Sequence, residues 1–150
     1  MNSVRIARQS DVPVIVVLAR EEHALSPWSD IPFDEECTAE VVDSFVVGMG
    51  RTALLSGGGY LLGLVQPMGF SRALAALEYA WYARDGAGLE ILGAFEDWAR
   101  SMGANHIVAH DYAGDGRLAN VLERRKGYRT VGTALALKIN EQAHMAPVGV

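Results

Sequence analysis

Apolar and polar positions change their period along residues 81–103, from the alternation of a strand to the spacing of a helix. A strand pattern reaches Tyr82, and a turn that contains Gly86 and Gly88 follows it. Apolar residues then recur three or four positions apart, at Leu89, Leu92, Phe95, Ala99 and Met102. This spacing predicts a helix with one buried stripe, and the charged residues are expected to face water, at Glu90, Glu96, Asp97 and Arg100.

The glycine turn is predicted to lie at the N-terminus of that helix. The first backbone N–H groups of a helix have no intrahelical acceptor, and the helix dipole adds partial positive charge there. Glycine also lets a ligand approach the backbone closely, so Gly86 and Gly88 favour a phosphate or pyrophosphate site. An ordinary turn is the alternative, because two glycines one residue apart form a weak motif.

The first fifty residues predict one short strand and two helices. The strand covers Val4–Ala7, and Ser10 is expected to cap a helix that runs to about Ala24. A loop that is rich in proline and serine, Ser26–Pro32, separates this helix from the next one. Asp34 is expected to cap the second helix.

The middle of the chain predicts antiparallel strands. Arg51–Ser56 and Tyr60–Gln66 are apolar runs, joined by three glycines at 57–59 that are expected to supply the positive φ of a tight turn. A further strand should end at Tyr82 or Ala83. After the long helix, the pattern predicts a buried strand over Asn105–His110.

The C-terminal part predicts a last helix and a closing strand. Asp115 is expected to cap the helix and Gly127 to end it, and Tyr128–Ile139 has the pattern of a strand. The fold class is therefore α/β, in the order β-α-α-β-β-β-α-β-α-β. We expect one domain over residues 1–140 and a flexible tail over residues 141–150.

Composition narrows the classes of function. The formal net charge of −5 over 150 residues argues against nucleic acid as a partner, because nucleic-acid binders usually present a basic face. The single cysteine, Cys37, is expected in the core, and it favours a reducing, cytoplasmic location. The apolar run Val12–Ala19 is shorter than the roughly 20 residues of a membrane span, so no membrane association is expected.

The strand, turn and helix of residues 81–103 resemble the acyl-CoA-binding segment of the GCN5-related N-acetyltransferase superfamily. The family signature is Arg or Gln, two residues of any kind, Gly, one of any kind, then Gly or Ala. Here Ala83 stands at the Arg or Gln position, and Gly86 and Gly88 match the rest. The order of elements resembles the family over Val4–Ile139, most of all its small bacterial and phage members. The resemblance implies a mixed, mostly antiparallel sheet flanked by helices, with the reaction in a gap where the fourth and fifth strands part.

This resemblance implies acetyl transfer from acetyl-CoA, without a metal, to a primary amine of a small molecule or peptide. The residues that it implies for acetyl-CoA binding surround the turn: Tyr82, Ala83, Gly86, Ala87, Gly88 and Leu89. The missing Arg or Gln and a short loop leave an alternative, a non-catalytic protein on the same scaffold with weak or no CoA binding. The sequence leaves the oligomeric state open, a homodimer included.

Glu78 is the candidate base, since it precedes the turn on a strand where alternation predicts that it shares a face with Ala80 and Tyr82. A hydrogen-bonded structural carboxylate is the alternative. The tyrosine that serves as the acid in the family corresponds to Glu123 here, so Tyr112 is the substitute candidate, with a surface tyrosine as its alternative.

Histidines and one tryptophan complete the candidates. His110 follows the predicted fifth strand and is either a second base or a structural residue. His106 and His110 lie about 13 Å apart in a strand, which is too far for a shared metal. His23 and Trp28 lie where family members contact the acceptor, although Trp28 can equally fasten its loop to the core.

Overall fold

Five strands form one sheet in chain order within the first of two units of the chain. The structure is a computed structural model that describes residues 3–112 and 115–139. The strands are β1 (Arg5–Ile6), β2 (Arg51–Leu55), β3 (Gly59–Pro67), β4 (Leu74–Ala83) and β5 (His106–Val108). Neighbours are antiparallel except β4 and β5, which are parallel, so the prediction of a mixed, mostly antiparallel sheet flanked by helices is confirmed.

Three helices cover the two faces of this sheet: α1 (Val12–Leu25), α2 (Glu35–Val47) and α3 (Gly88–Ser101). On one face, α1 and α2 enclose a core that includes Ile15, Leu18, Phe45, Tyr60 and Leu62. Residues 60 and 62 alternate with Gly59 and Gly63, so these glycines face the other side. There α3 approaches so closely that a Cβ on Gly63 would lie 2.2 Å from Cε2 of Phe95.

The starts of the first two helices differ in how well the sequence predicts them. Asp34 caps α2 as expected, because its Oδ1 accepts a hydrogen bond from the Cys37 N–H at 2.8 Å. Ser10 does not cap α1; a 3-10 turn over Gln9–Asp11 moves the N-cap to Asp11. Cys37 lies in the first turn of α2 and is exposed, so its predicted place in the core is wrong.

The hairpin between β2 and β3 forms as predicted, but its glycines serve another purpose. None of the three has a positive φ. A Cβ on Gly58 would lie 2.6 Å from Oδ2 of Asp85, and one on Gly59 would lie 2.7 Å from Cδ1 of Ile91. Small residues are therefore required here because neighbouring groups approach the backbone closely.

Helix α3 confirms the predicted amphipathic helix, with a rotated buried face. Leu92, Phe95 and Ala99 are buried as expected, together with Ile91. Glu96 is only 7 % exposed, Met102 is 39 % exposed and Leu89 is only partly buried, so the expectations for these three residues are wrong. The predicted buried strand over Asn105–His110 is shorter, since β5 has three residues and none of them is fully buried.

The second unit, Asp115–Val150, contains helix α4 (Arg117–Lys126) in its described part. The predicted cap at Asp115 is wrong, because the N-cap is Gly116, although Oδ1 of Asp115 accepts the N–H of Arg117 at 3.0 Å. Gly127 ends the helix as predicted, with a φ of 74°. The predicted closing strand is wrong as far as residue 139, because residues 127–139 form no strand. The predicted tail, residues 141–150, lies outside the described residues.

Within the described ranges, no helix has both the length and the apolar character that crossing a membrane requires.

Candidate functional site

The parallel strands β4 and β5 part in the middle of β4. Their last paired residues are Leu77 and Val108, whereas β4 continues to Ala83 along β3. From Glu78 onward, no strand among the described residues pairs with the edge of β4 that faced β5. The resemblance predicts its reaction site in a gap of this kind, between the fourth and fifth strands.

Glu78 is the first residue beyond the last pair, and its side chain spans the gap. Its Oε2 accepts the backbone N–H of His110 at 3.0 Å and lies 3.1 Å from Nδ1 of the same histidine. Glu78 is only 3 % exposed. Burial raises the pKa of the Glu78 carboxyl, and the two contacts with His110 act in the opposite direction.

A β-bulge changes the face on which Glu78 lies. Leu62 pairs with Ala80, but Gly63 pairs with Glu78, so Tyr79 is an extra residue in β4. Leu62 and Gly63 are consecutive in β3, so they face opposite sides of the sheet. Their partners, Ala80 and Glu78, therefore face opposite sides as well. The expectation that Glu78 shares a face with Ala80 and Tyr82 is therefore wrong, because the bulge interrupts the alternation.

Tyr112 stacks on His110. The ring centroids are 5.2 Å apart, the planes are 11° from parallel, and Tyr112 is 46 % exposed. Three candidates thus form one cluster: the carboxyl of Glu78, which is 32 residues before His110 in the sequence, the imidazole of His110 and the phenol of Tyr112. A buried carboxyl that can take up a proton thus contacts Nδ1 of the imidazole, and an exposed phenol that can supply one stacks on the ring.

Glu22, in α1, is a site residue that the sequence reasoning missed. It accepts a hydrogen bond from the hydroxyl of Tyr60, a residue that is 1 % exposed. Burial raises the pKa of the Glu22 carboxyl to about 7, and the negative charge of Glu78 adds to this rise. A signal was present in the sequence, because Glu22 continues the helical spacing of the buried residues Ile15 and Leu18.

The N-terminus of α3 has the predicted form. Gly86 has a φ of 78°, which favours glycine, and α3 begins at Gly88. Because the first intrahelical bond runs from Ile91 N–H to Ala87, helix geometry leaves the N–H groups of residues 88–90 without an intrahelical acceptor. The indole of Trp81 lies above Gly88, with Cζ2 3.5 Å from where a Cβ would stand.

An internal carboxylate lies at this helix terminus. Oδ1 of Asp85 accepts the N–H of Ala87 at 3.2 Å, so one donor of the turn is in use. A carboxylate here interacts favourably with the helix dipole and repels a second anion. The turn therefore offers the N–H groups of residues 88–90 as donors to an anion, and the charge of Asp85 opposes that anion.

The basic residue next to Ala83 is directed away from this turn. The guanidinium of Arg84 makes two hydrogen bonds to the Glu21 carboxylate, at 2.7 and 3.1 Å. The hydroxyl of Tyr82 donates to the same carboxylate at 3.2 Å. Glu21 thus connects the end of β4 to α1 and pairs with the guanidinium of Arg84.

His23 and Trp28 lie at the end of α1 and in the loop after it. The His23 ring is 5.4 Å from that of Phe33, and its Nε2 is buried without a hydrogen-bond partner in the described structure. Trp28 is 43 % exposed, and its backbone N–H donates a hydrogen bond to Oγ of Ser26. Across the described residues, no three His, Cys, Asp or Glu side chains are grouped as a metal site requires.

No model of a known protein family and no curated protein matches the sequence. Solved structures do. An aminoglycoside acetyltransferase from an uncultured soil metagenomic sample, in complex with sisomicin, superimposes with a TM-score of 0.67 at 14 % identity over 93 % of this chain and 97 % of its own. A ribosomal-protein-alanine N-acetyltransferase from Brucella melitensis biovar Abortus 2308 gives 0.68 at 11 % over 93 % and 100 %.

A third similar structure is an aminoglycoside N-acetyltransferase in complex with CoA, with a TM-score of 0.68 at 8 % identity over 93 % of this chain and 95 % of its own. At such identities the likeness establishes the fold. The chain therefore has the fold of the GCN5-related N-acetyltransferase superfamily.

Proposed function

We propose that this protein is an N-acetyltransferase that moves an acetyl group from acetyl-CoA to a primary amine. One observation supports this reaction above all others, the buried Glu78 carboxyl at the point where β4 and β5 part. A primary amine is mostly protonated at neutral pH and must lose a proton before it can act as a nucleophile. A carboxyl whose pKa is raised by burial is suited to accept that proton.

In this proposal, the donors for the pyrophosphate are the N–H groups at the start of α3. Acetyl-CoA supplies an activated acyl group as its thioester. Glu78 accepts the proton of the amine, directly or through His110, which its carboxyl contacts. Tyr112 is the proposed proton donor to the sulfur that leaves, because its exposed phenol stacks on the same imidazole.

The acceptor is proposed to be a small molecule or a peptide. Two of the similar structures are aminoglycoside acetyltransferases, and one is a ribosomal-protein-alanine N-acetyltransferase. His23 and Trp28 are proposed to contact this acceptor. The partly exposed indole of Trp28 offers a surface for packing, and the buried Nε2 of His23 has a free hydrogen-bonding position in the described structure.

A second candidate function is a non-catalytic role on the same scaffold. Asp85 favours it, because its carboxylate already interacts with the helix terminus that would bind the pyrophosphate. Ala83 favours it too, since it replaces the Arg or Gln of the family signature. Calorimetric titration with acetyl-CoA and CoA separates the two candidates, because only the enzyme requires binding.

The substitution Glu78→Gln tests the proposed base. The amide has nearly the same shape but does not take up a proton, so kcat should fall by about 100-fold or more while the affinity for acetyl-CoA changes little. Release of free thiol is measured with a panel of primary amines. Glu40→Gln, an exposed change on α2, is the matched control. Unchanged turnover in Glu78→Gln would reassign Glu78 to a structural role.

A further inference from the structure

Glu78 and His110 differ in how far their side chains reach water. The side chain of Glu78 is 3 % exposed, whereas that of His110 is 38 % exposed. Oε2 of Glu78 has two contacts, with the backbone N–H at 3.0 Å and with Nδ1 at 3.1 Å, and both groups belong to His110. The imidazole is therefore the more accessible of the two groups for an amine that arrives from water.

The orientation of the imidazole is fixed by its neighbours. The carboxyl of Glu78 holds Nδ1, and the ring of Tyr112 stacks on one face with planes 11° from parallel. The other ring nitrogen, Nε2, lies on the edge that is directed away from the carboxyl. Among the described residues, no hydrogen bond engages this Nε2. The cluster thus presents one ring nitrogen in a fixed direction.

The carboxyl of Glu78 determines which ring nitrogen carries the hydrogen. An ionised carboxyl only accepts hydrogen bonds, so its contact with Nδ1 places the hydrogen on Nδ1. A neutral imidazole has one such hydrogen, so Nε2 then carries a lone pair and can accept a proton. Burial raises the pKa of the Glu78 carboxyl, but both contacts with His110 favour its charged form.

We propose that His110 is the catalytic residue that takes the proton of the amine, at Nε2, and that Glu78 is its positioning residue, which holds the hydrogen on Nδ1. The inference rests on the proposed function and decides between the two proton routes that it leaves open. A carboxylate that orients an imidazole in this way also stabilises the cation that forms when the ring takes up a proton.

Two protons leave the amine nitrogen in each turnover. The first moves from the ammonium to Nε2 of His110, and the freed lone pair forms the C–N bond to the acyl carbon. The C–S bond breaks with its electron pair on the sulfur, which takes a proton from Tyr112. The second proton of the nitrogen replaces the one that Tyr112 has given. His110 returns the first proton to water, because its side chain is partly exposed.

The first test is to locate the ring hydrogen by NMR in the complete wild-type chain with nitrogen-15-labelled histidine. Long-range proton–nitrogen spectra are recorded at about pH 9, where imidazoles are ordinarily neutral. We expect the hydrogen of His110 on Nδ1, and that of His106, an exposed residue of β5, mostly on Nε2, as in free histidine. A hydrogen on Nε2 of His110 would overturn the inference.

The second test is a double-mutant cycle, measured as kcat with a panel of primary amines. Glu78→Gln and His110→Gln should each lower kcat by about 100-fold or more, with little effect on the KM for acetyl-CoA. The variant with both changes should be about as slow as His110→Gln alone, because Glu78 acts through the imidazole. Losses that multiply would mean that the carboxyl takes the proton itself, which would overturn the role of His110.

His106→Gln is the matched control, because it changes an exposed histidine of β5 outside the cluster and should keep the kcat of wild type. The spectrum of the wild-type chain needs neither a variant nor turnover, so it decides the inference even if a glutamine variant does not fold. A wild-type chain with the hydrogen on Nδ1 of His110 but no acetyl transfer would count against the proposed function alone.

Discussion

At the scale of single residues, Glu22 should make the stability of the fold depend on pH. Its pKa is about 7 in the folded chain, against an ordinary value of 4.5. The folded state therefore holds more protons than the unfolded state between these values, and stability falls as the pH rises through this window. The stabilising contribution is fully present below pH 4.5 and is lost as the pH passes 7.

Replacing Glu22 by Gln should remove this dependence. Relative to wild type, the free energy of unfolding of Glu22→Gln should rise by up to about 3 kcal/mol between pH 4.5 and pH 8, at about 1.4 kcal/mol per pKa unit. Urea unfolding at several pH values measures the difference, with Glu40→Gln as the control. A constant difference between the two proteins would mean that Glu22 titrates alike in the folded and unfolded chain.

Asp85 is the residue that should limit the affinity for a pyrophosphate. Asp85→Asn keeps an oxygen that can accept the Ala87 N–H and removes the negative charge at the start of α3. We expect CoA to bind about 5-fold more tightly, equivalent to about 1 kcal/mol for an exposed pair of like charges, and the gain should shrink at high salt. Calorimetry with Asp97→Asn, a change elsewhere on α3, is the control. Equal affinities would show that Asp85 does not face the ligand.

At the scale of elements, Gly63 sets the distance between β3 and α3. A Cβ at this position would lie 2.2 and 2.8 Å from two carbons of the Phe95 ring, closer than atoms can approach. Gly63→Ala should therefore push α3 away from the sheet and lower the free energy of unfolding by about 1–3 kcal/mol or more. Gly132→Ala meets nothing within 4 Å and is the control. Equal denaturant midpoints would contradict the packing.

The sequence predicts elements well where spacing and caps agree. The spacing of Leu92, Phe95 and Ala99 places α3, and Asp34 marks the start of α2. It did not predict the bulge at Tyr79, because a single extra residue leaves no change in composition, yet that residue decides the face on which Glu78 lies. The strand pattern after Gly127 was misleading, because alternation records only that a strand could form.

The candidate site, too, was predicted from the sequence only in part. Glu78 could be proposed from its place on the strand before the glycine turn, and His110 and Tyr112 from their places at the fifth strand, but their mutual contacts depend on where β4 and β5 part. That point is set by long-range pairing, which local patterns do not encode. Asp85 was visible in the sequence beside Gly86, but its hydrogen bond to Ala87 depends on the conformation of the turn.

For the whole molecule, the proposal requires that acetyl-CoA stabilise the folded chain. The turn lacks the Arg or Gln of the family, and the protein carries a net charge of −5, so affinity should be weak, in the high-micromolar range or above. With a Kd of about 500 µM, 5 mM acetyl-CoA adds about 1.4 kcal/mol of stability, which corresponds to a rise in Tm of about 3–6 °C.

Substitutions of Gly88 test whether that stabilisation arises at α3. The Cβ of Gly88→Ala would lie 3.5 Å from Cζ2 of Trp81, an ordinary contact, so this variant should fold and keep the shift in Tm. The branched side chain of Gly88→Val extends further toward the indole and crowds the N–H groups of the first turn. This variant should therefore lose the shift in Tm that acetyl-CoA causes, while its Tm without ligand changes by less than that shift. A shift that survives in Gly88→Val would locate the ligand elsewhere.

If acetyl-CoA at 5 mM leaves the wild-type Tm unchanged, the non-catalytic role becomes the function to pursue, because a ligand that binds the native state must raise the Tm.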